Sequence, residues 1–159
     1  MGADSVAAVS TGKGKNAKPR VSYVVGRLDR ALSLALEERV AKYGLTLPQY
    51  TALSVLRRRT GLSNAQLARR TFVRPQSMMQ VISVLERDGL IERARDERHR
   101  RILRTTITPK GREILAACDR SVTQIEKAML ADLSREEQER LLDALLACVR
   151  QLGAGFDDG

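Results

Sequence analysis

Apolar residues recur at intervals of three and four positions along most of the chain, which is the spacing of helices with one buried face. The first such stretch covers residues 21–43 and is followed by Gly44, a residue type that commonly ends helices. A second helix is predicted from Pro48, because proline fits the first helical turn, and it ends near Thr60 and Gly61. The front of the chain is therefore predicted to form two consecutive helices.

A short helix and a longer one are predicted next, in close succession. Ser63 and Gln66 have the spacing of a capping box, in which each side chain bonds the backbone N–H of the other residue. This pattern predicts a helix over 64–70. After a break at 71–73, a further helix is predicted over 75–88, because it has proline in its first turn and glycine just after its end.

The periodicity then changes from helical to alternating. Residues 90–93 are short and extended, and residues 101–107 alternate and are rich in β-branched side chains, which predicts a β-hairpin. The segment between them, 96–100, is charged and typical of a turn. Four side chains lie at the predicted tip: Arg98, His99, Arg100 and Arg101.

Two long helices are predicted to complete the chain. Thr108 is the expected N-cap of the first, with Pro109 in its first turn. Ser134 and Glu137 form a second capping-box pattern before the last helix, which ends at Gly153. The predicted order is helix, helix, short helix, helix, hairpin, helix, helix.

Charge is distributed unevenly along these elements. The whole chain has a net charge of +9, with +7 in residues 1–60, +7 in residues 61–112 and −5 in residues 113–159. A basic surplus confined to the front and middle favours a polyanionic partner, and we predict nucleic acid. Residues 1–19 are rich in Gly, Ala, Ser and Lys and are predicted to form a flexible basic tail, and 153–159 an acidic one.

Several other classes of protein lack their characteristic residues in this sequence. Two cysteines are too few for a disulfide framework, and a single histidine leaves no paired metal ligands. A catalytic Ser/His/Asp set and a phosphate-binding loop are missing too, so neither an enzyme nor a metal site is expected. No apolar run approaches the roughly 18 residues of a membrane span, and no secretory signal is evident, so we expect a cytoplasmic protein.

Four segments taken together resemble the MarR family of transcriptional regulators. They are LTLPQYTALSVL (45–56), GLSNAQLARR (61–70), PQSMMQVISVLERDGLIER (75–93) and RRILRTTITPKGREI (100–114). The resemblance implies a fold that is mainly α with a small β-hairpin wing (α+β), over residues 20–152. Within it, 45–108 would form a winged helix-turn-helix, and 20–44 and 109–152 would form long terminal dimerisation helices.

The same resemblance implies a sequence-specific regulator of transcription that binds double-stranded DNA, usually a repressor, acting as a homodimer on a near-palindromic operator. The helix at 75–88 would enter the major groove, where base edges carry distinct hydrogen-bonding patterns. The candidates for base contact are Arg74, Gln76, Ser77 and Gln80. Ser63 and Asn64 are candidates for a phosphate at a helix start. The four side chains of the hairpin tip would lie along the DNA backbone or in the minor groove.

The hairpin departs from the family pattern in one place. Relatives usually have Asp two residues before an Arg near the tip, and this pair braces the wing. The matching positions here are His99 and Arg101, so the usual pair is missing. Asp96 and Glu97 are the candidates to replace it.

The resemblance implies no cofactor but a small aromatic or phenolic effector. Tyr23, Arg27 and Tyr50 are the candidates to bind it, because they lie on helices that flank the family's usual pocket; ordinary packed or surface tyrosines are the structural alternative. Redox sensing is not expected, since Cys118 and Cys148 fall within or beside apolar stripes.

Two other functions fit part of the sequence. A sequence-tolerant architectural DNA-binding protein would explain the basic charge equally well. A protein-interaction module would explain the apolar stripes of the end helices but would leave the arginine-rich hairpin tip without a role. A longer intramolecular core is the alternative to dimerisation for those stripes.

Overall fold

The computed structural model describes residues 18–153 and shows a mainly helical chain with one two-stranded antiparallel sheet. Its elements in chain order are α1 (Val21–Ala41), α2 (Leu47–Arg58), α3 (Asn64–Arg70), α4 (Pro75–Arg87), β1 (Ile91–Arg95), β2 (Leu103–Ile107), α5 (Pro109–Met129) and α6 (Arg135–Gln151). The predicted fold class and order of elements are confirmed. The predicted tails lie outside the described residues, apart from residues 18, 19 and 153.

Local capping sets the starts of the helices. The two predicted capping boxes are present, with Ser63 capping α3 and Ser134 capping α6. A third box, which the sequence analysis missed, joins Thr46 and Gln49 at the start of α2. Each box satisfies two backbone N–H groups that have no partner within the helix, so short helices such as α3 are stabilised at their first turn.

The hairpin is regular between Ile91, which pairs with Ile107, and Arg95, which pairs with Leu103. The second strand was predicted from Arg101, and this boundary is wrong. The N–H of Ile102 donates to the carbonyl oxygen of His99 at 2.7 Å, so residues up to 102 belong to the turn.

A single core joins α2, α3 and α4 to the hairpin base and α5. Its most buried side chains are Leu53, Leu56, Leu67, Met78, Ile82, Leu85 and Leu115. Gly111 in the first turn of α5 lies against the backbone of Leu90, at the entry to β1. This close approach fixes α5 to the base of the hairpin.

The outer helices contribute little to this core. Among the described residues, none of α6 is buried, and Val40 is the one buried residue of α1. Large apolar side chains on both helices face solvent in the single chain: Val21, Val24, Val25, Leu28, Leu34, Leu141, Leu142 and Leu145. A longer intramolecular core therefore does not account for these stripes. No helix within residues 18–153 is long and apolar enough to span a membrane.

Candidate nucleic-acid interface

The turn between α3 and α4 holds the two helices in a fixed relation. The side-chain amide of Asn64, at the start of α3, donates to the carbonyl oxygen of Pro75 at the start of α4 over 3.2 Å. Phe72 in the turn has a φ of 54°, a left-handed conformation that is uncommon for a residue with a side chain. Both features fit the predicted helix-turn-helix.

Helix α4 has a buried face and an opposite face open to solvent. Met78, Ile82 and Leu85 are buried in the core. All four candidates for base contact are exposed: Arg74, Gln76, Ser77 and Gln80. Met79 is 60% exposed, so of the two adjacent methionines only Met78 belongs to the core. The polar side chains of α4 are therefore accessible to a ligand, and a helix has the right width to enter the major groove of DNA.

Ser63 and Asn64, the candidates for a phosphate contact, have internal partners in the structure. The Ser63 hydroxyl accepts from the N–H of Gln66 at 3.3 Å, and the Asn64 amide holds Pro75. The structure therefore assigns both side chains a structural role at the start of α3, and their contact with phosphate stays a prediction.

The hairpin tip is organised by Asp96. One of its carboxylate oxygens accepts from the backbone N–H groups of Arg98 and His99, at 2.9 and 2.8 Å. All four tip side chains, Arg98, His99, Arg100 and Arg101, are exposed. The tip thus presents three guanidinium groups to solvent on a turn whose backbone is fixed.

A hydrogen-bond relay through Arg104 connects the tip to α3. The Arg104 Nε donates to the other carboxylate oxygen of Asp96 at 2.6 Å, and its Nη1 donates to Gln66 Oε1 at 3.1 Å. The hydrogen bond from Arg104 is the main cause that lowers the pKa of Asp96 to about 2. Of the two candidates to replace the usual brace of the wing, Asp96 therefore does so, with Arg104 rather than Arg101 as its partner.

A second ion pair links the hairpin to α4. Arg93 on β1 binds the carboxylate of Glu86 on α4, with a distance of 2.9 Å from Nε. The hydrogen bond from Arg93 lowers the pKa of Glu86. Arg93 thus connects the hairpin to α4, as Arg104 connects it to α3.

The three effector candidates do not lie together. Tyr23 and Arg27 line a shallow cavity of about 450 Å³ along α1, which Arg30 and Leu34 also border. Tyr50 is elsewhere: its hydroxyl donates to Asp119 on α5 at 2.9 Å. Burial and this hydrogen bond raise the pKa of Tyr50 to about 12.

The polar contacts that join α2 to α5 were not predicted from the sequence. Asp119 accepts from Tyr50 and forms an ion pair with Arg57, which lie 69 and 62 positions away in the chain. Beside it, burial raises the pKa of the Cys118 thiol to about 11. Spacing along the sequence contains no signal for such pairs, because they depend on how two distant helices pack.

The site therefore combines an exposed polar helix face and a basic hairpin tip, with hydrogen bonds that connect the hairpin to α3 and α4. Within residues 18–153, no group of His, Cys, Asp and Glu side chains is arranged to hold a metal ion. A helix-turn-helix whose second helix has an exposed polar face, followed by a basic hairpin, defines a winged helix-turn-helix DNA-binding protein.

Comparison with known proteins narrows this class to a family. A family model described as the MarR family matches residues 43–102. The HTH-type transcriptional repressor Rv2887 of Mycobacterium tuberculosis is 31% identical over 128 residues, which cover 79% of this chain and 92% of that protein. The chain belongs to the MarR family of transcriptional regulators.

Solved structures agree with this assignment. The transcriptional regulator BldR from Sulfolobus solfataricus superposes with a TM-score of 0.75 at 26% identity, covering 82% of this chain and 93% of BldR. The complex of Rv2887 with p-aminosalicylic acid superposes with a TM-score of 0.68 at 29% identity, covering 85% of this chain and 99% of that one.

Proposed function

We propose that this protein is a ligand-responsive transcriptional repressor that binds a near-palindromic operator as a homodimer. The observation that carries the proposal is the exposed polar face of α4, held in place beside the arginine-rich hairpin tip. This arrangement offers one element for base edges and another for the phosphate backbone, which are the two kinds of contact that a sequence-specific protein needs.

The contacts to DNA follow from the exposed side chains. With α4 in the major groove, Gln76 and Gln80 suit adenine, Arg74 suits guanine, and Ser77 accepts or donates at either. Arg98, Arg100 and Arg101 follow the backbone or enter the minor groove, with His99 beside them. The backbone contacts raise affinity on every sequence and weaken as salt rises.

The dimer is supported by the apolar surface that a single chain leaves open. Val24 and Leu28 on α1, and Leu141, Leu142 and Leu145 on α6, are each more than a third exposed. Exposed apolar side chains on both terminal helices are typical of a protein–protein interface. A two-fold dimer built on these helices would place its two recognition helices about 34–36 Å apart, one turn of DNA.

The effector site is proposed along α1. The cavity there combines the phenol of Tyr23, the apolar Leu34 and the guanidinium groups of Arg27 and Arg30. Arginine binds carboxylates through two parallel hydrogen bonds, so an aromatic carboxylic acid suits this lining. The structure of Rv2887 with p-aminosalicylic acid shows that a relative binds such a compound.

Fluorescence anisotropy tests the DNA proposal directly. The protein is titrated into a near-palindromic duplex selected from random DNA and into a scrambled duplex, at one moderate salt concentration. We expect binding to be about 10³-fold or more tighter on the selected duplex, with two chains bound per duplex. Equal affinity for both duplexes would instead support an architectural protein, and no binding at low salt would support a protein-interaction module.

The same signal tests the effector. We expect p-aminosalicylic acid to release the protein from the selected duplex, and Arg27→Gln to weaken this response while leaving DNA affinity in its absence unchanged. Release that is equal in the wild type and the variant would argue against the α1 cavity as the site.

A further inference from the structure

Three polar side chains form a clamp between α2 and α5, outside the DNA-contacting surface. Tyr50 Oη donates to one carboxylate oxygen of Asp119 at 2.9 Å, and Arg57 binds the other. Tyr50 and Arg57 are seven residues apart on α2, which places them on one face about 10.5 Å apart along the helix axis. The carboxylate of α5 is therefore held from both directions along α2.

The two contacts of Asp119 oppose sliding of α5 along α2 as well as separation of the two helices. If α5 shifted along α2, the carboxylate would move away from one donor and against the other. The apolar contacts beneath, from Leu53, Leu56 and Leu115, favour burial but do not select one register, because the hydrophobic effect has no direction. The clamp adds the directional contacts that the apolar layer lacks.

The clamp also lies at the contact between α2 and α5, where a change of angle would move the DNA-contacting part. Helix α2 packs against α1 and α5 on one side and against α3, α4 and β2 on the other, so its angle to α5 sets how the DNA-contacting part is placed relative to the outer helices. The Arg57 and Asp119 side chains are 38% and 27% exposed, so the pair is open enough to rearrange. The Tyr50 phenol is protonated at neutral pH and can therefore act as a hydrogen-bond donor.

We infer that Tyr50, Arg57 and Asp119 are positioning residues that set the distance between the two recognition helices, and with it the half-site spacing that the protein accepts. This inference rests on the proposed dimeric function. A rotation of about 10° between α2 and α5, at a lever arm of roughly 15–20 Å expected for a domain of this size, moves α4 by ~3 Å. In a two-fold dimer both copies of α4 move, so their separation changes by up to ~6 Å, which is the rise of one to two base pairs at ~3.4 Å each.

The test is a spacing profile. The selected near-palindromic duplex is remade with its half-sites one base pair closer and one or two base pairs further apart. Affinity for each duplex is measured by anisotropy for the wild type, Asp119→Asn, Tyr50→Phe and Arg57→Gln. Glu126→Gln is the matched control, because it removes the same charge from α5 at an exposed position outside the clamp. Thermal unfolding and sedimentation establish that each variant is folded and has the oligomeric state of the wild type.

We expect the wild type and Glu126→Gln to prefer one spacing by about tenfold or more over its neighbours, since half-site spacing is a geometric property of a dimer. In Asp119→Asn the ratio of affinities between the preferred spacing and its neighbours should fall to about threefold, or the preferred spacing should shift by one or two base pairs. Tyr50→Phe should give a smaller change of the same kind.

The two possible failures are distinguishable. A sharp wild-type profile that all clamp variants reproduce, or that they lower by the same factor at every spacing, would mean that the clamp only stabilises the fold, and it would overturn this inference alone. A flat wild-type profile would overturn the proposed dimeric function and this inference with it. If Asp119→Asn does not fold, Tyr50→Phe, which removes one hydroxyl, decides the question by the same criteria.

Discussion

Replacing Gly111 by alanine tests how closely the hairpin base packs against α5. A Cβ at this position would lie 2.1 Å from the carbonyl oxygen of Leu90 and 2.9 Å from Cγ1 of Ile107. The first of these neighbours is a backbone atom, which cannot rotate away as a flexible side chain would. The same oxygen accepts a hydrogen bond from the N–H of Thr108 at 3.1 Å, so moving it disturbs the start of α5 as well.

The expected magnitude combines three effects of different sign. Overpacking at a site of this kind typically costs about 1–3 kcal/mol. Weakening the bond between Thr108 and Leu90 adds about 0.5–1.5 kcal/mol. The higher helix propensity of alanine returns about 0.5–1 kcal/mol. The central values of these ranges add up, so we expect Gly111→Ala to lower the free energy of unfolding by about 2 kcal/mol.

Urea and thermal unfolding at one protein concentration measure this change. For a chain of this size the loss corresponds to a fall in Tm of about 3–9 °C. The matched control is the pair Arg112→Ala and Arg112→Gly, at the next, exposed position of α5. There the alanine variant should be more stable than the glycine variant by about 0.5–1 kcal/mol. If Gly111→Ala were as stable as the wild type, the close packing of α5 on the hairpin base would be refuted.

Three further predictions concern individual side chains. Arg101→Ala should weaken DNA binding about equally on all duplexes, whereas Gln80→Ala should relax the sequence preference at one base position. Anisotropy on duplexes with single base-pair substitutions distinguishes these two effects. Unchanged DNA affinity in Arg101→Ala would argue against the role of the hairpin. Because the pKa of Asp96 is depressed to about 2, below its unfolded value of about 4, its stabilising contribution should be complete above pH 4 and lost as the pH falls towards 2. Unfolding curves of Asp96→Asn should lack this pH dependence, and an identical dependence would contradict the relay. An ultraviolet titration should show a tyrosine with a pKa of about 12 that disappears in Tyr50→Phe, which assigns it, and whose pKa falls in Asp119→Asn. A tyrosine pKa of about 12 that Asp119→Asn leaves unchanged would exclude the hydrogen bond from Tyr50 to Asp119.

The sequence predicted the helices well because the signals that start and stop them are local. Ser63 with Gln66, and Ser134 with Glu137, are three residues apart, and each pair forms the capping box that its spacing implies. Proline in the first turn marked α4 and α5 in the same way. The four candidate side chains of the exposed face of α4 were expected from the resemblance to the MarR family, and the structure agrees that all four are exposed.

The hairpin shows where this local reasoning ended. The hairpin was predicted from the alternating pattern of residues 101–107. Because position 99 is His and not the usual Asp, the sequence did not show whether Asp96 or Glu97 stabilises the hairpin. The choice depended on Arg104, which reaches Asp96 and Gln66 at once. A guanidinium that joins a turn to a separate helix has no periodic signature, so only the packed chain identified it.

The sequence by itself therefore determined the order of the elements, the polar face of α4 and the arginines of the hairpin tip, because each depends on neighbours within about one or two helical turns. The tertiary structure decided which carboxylate fixes the tip, that Tyr50 bonds Asp119 rather than lining the cavity with Tyr23, and that the stripes of α1 and α6 stay exposed in a single chain. These outcomes depend on the distances between elements far apart in the chain, and such distances are set only when the core packs.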